Sequence, residues 1–185
     1  MLRLKYTFVQ NGDRMEALTT PNPMDRATLI RDYKVIERRD AIFTAMDAVT
    51  FDPVKSVILE SKPAPAPTLT TQGNEGVIRI LDSSTDDTTF DINLSSSAIL
   101  LVTDVYSKSW RVQALEGSAQ ANYNVMPANY TLIGIPLSAG HHLFKLEYLP
   151  EAFARGKWIS IVSLAIFLAI LGWDMFRMSW RRPRT

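Results

Sequence analysis

Residues 158–173, WISIVSLAIFLAILGW, contain no charged side chain. A soluble helix of this length carries a polar face. This run has none, so the chain must give it an apolar solvent. Continued through Met178, it supplies about 21 helical residues, or roughly 30 Å at ~1.5 Å per residue, enough to cross a hydrocarbon core. A membrane-spanning helix is therefore expected over residues 156–178, with a basic tail at 179–185. The expected partner is the lipid bilayer. Trp158, Trp173 and Trp180 stand where an aromatic belt anchors such a span, and Asp174 lies close enough to one end to reach the headgroups.

The flanks orient the span. Arg177, Arg181, Arg182 and Arg184 follow its apolar centre, whereas only Arg155 and Lys157 precede it closely. The positive-inside rule puts the C-terminus in the cytoplasm and the preceding residues on the other side. The formal charge of +1 hides this asymmetry. Residues 1–150 carry 14 basic and 17 acidic side chains, a balance of −3, while residues 151–185 carry +4. The first ten residues, MLRLKYTFVQ, lack the apolar core and small-residue cleavage site of a signal peptide. Two arrangements follow as expectations: a piece of a longer polytopic protein, or a tail-anchored protein with its bulk in the cytoplasm.

Composition narrows the chemistry. There is no cysteine, so a disulfide framework, a thiolate zinc site and a cysteine nucleophile are all excluded. The two histidines are adjacent at His141 and His142, and on a strand they would point to opposite faces. No metal or other cofactor is expected. Asp82, Asp86 and Asp87 sit in a serine-rich turn without the spacing and glycine of an EF-hand, so a solvated turn is expected. The sequons Asn93-Leu-Ser95 and Asn129-Tyr-Thr131 are short enough to arise by chance. No phosphate-binding loop, nucleophile elbow or zinc-protease motif occurs, and no spacing of carboxylates defines a general acid and base. Basic residues are not interleaved with aromatics, which argues against nucleic acid. No catalytic residue is assigned.

Before the helix the pattern is that of an α+β protein. Residues 62–68 (KPAPAPT) read as a proline-rich linker. Residues 1–61 read as a small α/β unit, with strands expected at 2–9, 27–37 and 54–60 and a short helix at 40–49. A unit of this size is marginal alone and should dock on something larger. Residues 69–150 read as an antiparallel, β-sandwich-like domain, with strands at 77–81, 88–94, 98–106, 110–115, 121–126, 130–136 and 142–149. Ile99-Leu-Leu-Val102 is continuously apolar, as suits a central strand buried on both faces.

The order Asp104-Val-Tyr106, Trp110, Gly117, Ala128-Asn-Tyr130, Ala139-Gly-His-His142, Tyr148-x-Pro150 and then an apolar helix resembles the C-terminal end of YfhO-type bacterial membrane proteins. Those are polytopic proteins similar to GT-C-type glycosyltransferases. Residues 25–37, followed by Phe51-Asp-Pro53 and Val57-Ile-Leu-Glu60, are similar to the segment ahead of that region in the family. The resemblance implies a bacterial inner-membrane protein with its soluble part outside the cytoplasm. It also implies a role in cell-envelope glycosylation, with a lipid-linked sugar and a polytopic membrane core as partners. The family's N-terminal spans have no counterpart here, so the fragment arrangement is the expected one and any catalysis would lie elsewhere.

Within the β region, Asp104, Tyr106 and Trp110 cluster at the end of an apolar strand. They form a candidate glycan ledge, in which an aromatic plane covers a pyranose face and a carboxylate takes its hydroxyls. The alternative is a Tyr/Trp core edge whose aspartate bonds turn backbone. Asn129 and Tyr130 are candidates of the same kind, with Asn129 alternatively fixing the start of a strand.

Overall fold

The computed structural model describes residues 6–12, 14–19, 23–68 and 76–180. It divides into two compact units, one ending at Tyr148 and one beginning at Leu149. Among the described residues the first unit holds twelve strands and one helix. In chain order these are β1 (Tyr6–Asn11), β2 (Arg14–Thr19), β3 (Ala27–Ile30), β4 (Asp32–Val35), α1 (Arg39–Met46), β5 (Ser56–Leu59), β6 (Val77–Ser83), β7 (Asp87–Leu94), β8 (Ala98–Val105), β9 (Trp110–Ala114), β10 (Met126–Ala128), β11 (Leu132–Leu137) and β12 (Gly140–Tyr148).

β8 and β11 pair antiparallel at the centre. Every residue from Ala98 to Val102 and from Leu132 to Leu137 is buried. Strand alternation divides these side chains between two cores. Ala98, Leu100, Val102, Ile133, Ile135 and Leu137 pack with Phe90, Ile92, Leu94, Phe144 and Leu146. Ile99, Leu101 and Leu132 face the other way, onto Ile30, Val57, Leu59, Met126 and Ala128. The apolar run at 99–102 is thus a strand buried on both faces, as expected. At Gly134 a Cβ would lie 3.2 Å from that of Ala128, so the close approach of β10 to β11 favours a residue without a side chain.

The sandwich is formed by two sheets. One has four strands in the order β6-β7-β12-β9. Its inner face presents Phe90 and Phe144, whose rings lie 5.6 Å apart. Its outer face carries the Lys145–Asp87 ion pair at 3.2 Å and the His141–Asp91 hydrogen bond at 2.8 Å. The other sheet has the order β3-β8-β11-β10-β5-β4. Its two edge strands are separated in the chain by Arg31 alone. In a flat sheet five strand spacings would put these edges about 24 Å apart, whereas one residue spans at most ~3.6 Å. The sheet therefore curls until its edges meet at Arg31.

This curl corrects the expected organisation. The strand expected over residues 27–37 is broken into β3, antiparallel to β8, and β4, parallel to β5. The expected small unit at 1–61 is not separate from the β region, because β3, β4 and β5 complete a sheet with β8, β10 and β11. The reason is the one that made a 60-residue unit unfavourable: its Ile30, Val57 and Leu59 share one core with Ile99, Leu101, Met126, Ala128 and Leu132 from beyond the linker. The proline stretch follows the body of the fold, with Pro63 buried and the Thr68 N–H donating to the Ser97 carbonyl at 3.1 Å. The helix expected at 40–49 ends at Met46; Ile42 is fully buried, while Val49 is fully exposed. Residues 121–125 are not strand; they form an irregular segment whose Tyr123 and Val125 pack onto the core. The strand expected at 2–9 begins at Tyr6 among the described residues and forms a hairpin with β2.

The second unit is α2 (Glu151–Trp180), a helix of 30 residues. Its segment Glu151–Trp173 holds an 18-residue window with a mean hydropathy of 1.8, none of it buried, so it is long and apolar enough to cross a membrane. Within it the Ser163 hydroxyl donates to the Ile159 carbonyl at 2.8 Å, which satisfies it without water. Trp158, Trp173 and Arg177 are exposed on the helix and Trp180 ends it, while Arg181 and Arg182 lie outside the described residues.

Leu100→Ala and Leu101→Ala should each destabilise the first unit by about 2–5 kcal/mol, because the two residues fill different cores. Denaturant unfolding of the full chain in detergent micelles measures this. A strand buried on one face only would make one substitution nearly silent.

Candidate functional site: an aromatic groove at the end of the sandwich

Three of the residues singled out in the sequence converge. Asp104 and Val105 end β8, Tyr106 follows them, and Trp110 opens β9. Together with Arg26, Thr85, Asp86, Ser107 and Tyr148 they line an open groove of about 370 Å³. It lies where the inner faces of the two sheets run out, so Tyr106 and Trp110 each pack partly on the core and keep part of their surface in solvent. Tyr106 and Trp110 thus form the core edge posed from the sequence, while Asp104 bonds Arg26 rather than turn backbone.

The rings are held in place by their polar atoms. The Trp110 indole N–H donates to the Val105 carbonyl at 3.0 Å. The Trp110 and Tyr148 rings lie 5.3 Å apart at 58°, a tilted pair. They are opposed in the β9–β12 ladder, which fixes their spacing. The Tyr106 N–H donates to the Thr131 carbonyl at 2.7 Å.

Asp104 is paired. Arg26 Nε and Nη2 donate to its Oδ2 at 3.3 and 3.0 Å. Arg26 Nη1 also donates to Ser83 Oγ, so the guanidinium ties the start of β3 to the ends of β6 and β8. Arg26, Asp86 and Tyr148 were missed in the sequence. Arg26 meets Asp104 across 78 residues, and no local pattern announces such a pair. Tyr148 carried a signal, since it shares the inner face of β12 with His142, Phe144 and Leu146.

Asn129 and Tyr130 do not line the groove. Asn129 is buried, and its backbone and side chain both bond Ile58: its N–H donates to the Ile58 carbonyl, and its Oδ1 accepts the Ile58 N–H, each at 2.8 Å. It thereby extends the β10–β5 pairing past Ala128. Both residues adopt positive φ, 45° and 70°, which asparagine tolerates better than most side chains. Asn129 Nδ2 is buried and has no hydrogen-bond partner among the described residues. The Tyr130 ring packs on Phe43 at 4.1 Å, with the Arg39 guanidinium 4.6 Å from its centroid. The reading of Asn129 as a strand-fixing residue is the one the geometry favours.

The adjacent histidines do point apart. His141 Nε2 bonds Asp91 at 2.8 Å on the outer face. His142 is fully buried. Its Nε2 lies 2.9 Å from the Ser138 carbonyl, which only accepts, so that nitrogen carries the hydrogen. Its Nδ1 then accepts from the Tyr123 hydroxyl at 2.8 Å, and Tyr123 in turn bonds Ser118 Oγ. This network anchors the irregular segment 116–125 to β12. Burial lowers the His142 pKa from the ordinary 6.5; the Ser138 carbonyl opposes that shift and His141 adds to it. Burial likewise raises the Tyr123 phenol.

Comparisons of the chain with protein-family models, with curated proteins and with solved structures return no match.

Because the folded state holds His142 neutral, the unfolded state binds more protons below pH 6.5. Its contribution to stability should be complete above that pH and be lost as pH falls toward the depressed folded value, at a slope of at most ~1.4 kcal/mol per pH unit. Denaturant midpoints of the wild type and His142→Gln, compared between about pH 5 and 7, isolate the effect. The variant should show the shallower dependence.

Proposed function

We propose that this chain is a non-catalytic carbohydrate-binding module anchored by α2: the extracytoplasmic domain and last membrane helix of a YfhO-like protein, serving cell-envelope polysaccharide or teichoic acid glycosylation. The observation that carries the binding role is the convergence of Asp104, Tyr106, Trp110 and Tyr148 in one open groove. Two fixed aromatic rings offer the apolar faces that pyranose rings pack on, and a carboxylate beside them suits sugar hydroxyls. The groove is shallow and open, which fits a polymer passing through rather than a small molecule enclosed. The resemblance assigns transfer chemistry to a polytopic core.

The place of action rests on the helix and its flanks. An apolar helix of this length accounts for the anchor, and the arginines after its centre favour a cytoplasmic C-terminus. The tie to the YfhO-type family rests on the order of the short motifs named above. A stand-alone anchored binding protein would use the same groove, and co-purification with a polytopic partner separates the two.

Trp110→Ala in the full chain should weaken binding of neutral oligosaccharides about tenfold or more, as read by titration calorimetry. Unchanged affinity in a variant with a native unfolding midpoint would remove the groove as the binding site. In spheroplasts, external protease should digest the region before α2. Protection of that region would place it in the cytoplasm instead.

A further inference from the structure

The charges of the groove are not balanced, and this bears on which saccharide it takes. The inference rests on the carbohydrate reading and goes on to the class of sugar. The charged residues lining the groove are Arg26, Asp86 and Asp104. The guanidinium of Arg26 is engaged on all three nitrogens, two on Asp104 Oδ2 and one on Ser83 Oγ. Arg26 and Asp104 are also the less accessible pair, with side chains 20% and 25% exposed. Their charges offset each other, and each guanidinium nitrogen already donates one hydrogen bond within the protein.

Asp86 is different. It sits in the turn between β6 and β7, held by backbone contacts: its N–H donates to Ser84 Oγ at 3.2 Å and its carbonyl accepts the Tyr148 N–H at 2.7 Å. That second bond joins the turn to the end of β12, and Asp86 and Tyr148 both line the groove. Its carboxylate makes no hydrogen bond or ion pair among the described residues. The neighbouring carboxylates are engaged: Asp87 pairs with Lys145 at 3.2 Å, and Asp82 accepts the Ser83 N–H at 2.8 Å. The groove thus presents one uncompensated negative charge next to an aromatic surface. A ring packed on Trp110 and Tyr148 with a positively charged substituent would find its counter-charge at Asp86. A carboxylated or phosphorylated ring would meet repulsion from that carboxylate, with the Arg26 charge already offset by Asp104.

We propose that the groove selects an amino sugar, a pyranose carrying a free protonated amine, and that Asp86 is the residue that sets this preference. Trp110 and Tyr148 supply the stacking surface common to all sugars. Asp104, held by Arg26, orders the groove rather than reading charge.

The test uses the full chain in nanodiscs of zwitterionic lipid and three trisaccharide probes at about pH 6: tri-glucosamine, tri-N-acetylglucosamine and tri-galacturonate. Tri-glucosamine should bind roughly fivefold tighter than its N-acetylated counterpart, and tri-galacturonate weakest, with the spread shrinking as salt is raised. Asp86→Asn should bring the two glucosamine probes to equal affinity. Glu116→Gln removes the same charge from an exposed turn outside the groove and should leave the preference intact. Equal or tighter binding of tri-galacturonate, or an unchanged ratio in Asp86→Asn, overturns the amino-sugar assignment while leaving the carbohydrate reading standing. Loss of the ratio in Glu116→Gln as well would reduce it to bulk charge and overturn it too. Failure of all three probes to bind would overturn the carbohydrate reading itself.

Discussion

The β8–β11 ladder carries the fold. Six antiparallel pairs join the two strands, and both faces are buried from Ala98 to Val102 and from Leu132 to Leu137. One face makes the interior of the sandwich with β7 and β12, the other the interior of the curled sheet with β3, β5 and β10. A strand pair with no solvent face cannot shift register by one residue without exchanging the contents of both cores. That constraint locks the remaining strands into place around it, and β3 and β10 attach directly to its two sides.

The groove is a consequence of the same arrangement. At this end of the sandwich the last residues of β8 and β12 come together with the first of β9. Large half-polar side chains stand there: Tyr106, Trp110 and Tyr148. They cover the end of the core with one side and present the other to solvent. The Arg26–Asp104 pair fastens this end by linking the segment before β3 to the end of β8. At 20% and 25% exposure it is shielded enough to be more than a surface ion pair, and it satisfies its own charges.

Much of this was legible along the chain. The alternation of His142, Phe144, Leu146 and Tyr148 announced the inner face of β12, and the unbroken Ile99-Leu-Leu-Val102 run announced the doubly buried strand. Six of the seven strands expected in the second region are present with boundaries shifted by a few residues or less. The failures have physical causes. Residues 27–37 keep one extended pattern although the chain bends at Arg31, because a bend between two strands costs no change in residue type. Residues 121–126 looked like strand because Tyr123 and Val125 are apolar and spaced by two, yet they pack from a loop that is held by Tyr123, Ser118 and His142. Asn129 looked like a possible ligand contact, while its side chain completes the backbone pairing of Ile58.

The apolar helix and the two-faced central strand follow from the sequence alone, because each is a local statement about what a run of side chains can be exposed to. The helix has no polar face, so no aqueous packing is needed to recognise it. The closure of the six-stranded sheet, the union of the first sixty residues with the β region, and the pairing of Arg26 with Asp104 across 78 residues were decided only in three dimensions. Each joins segments far apart in the chain, and whether they meet depends on the summed burial of the cores between them. No local spacing encodes that sum. The groove and its unpaired carboxylate at Asp86 belong to this second class.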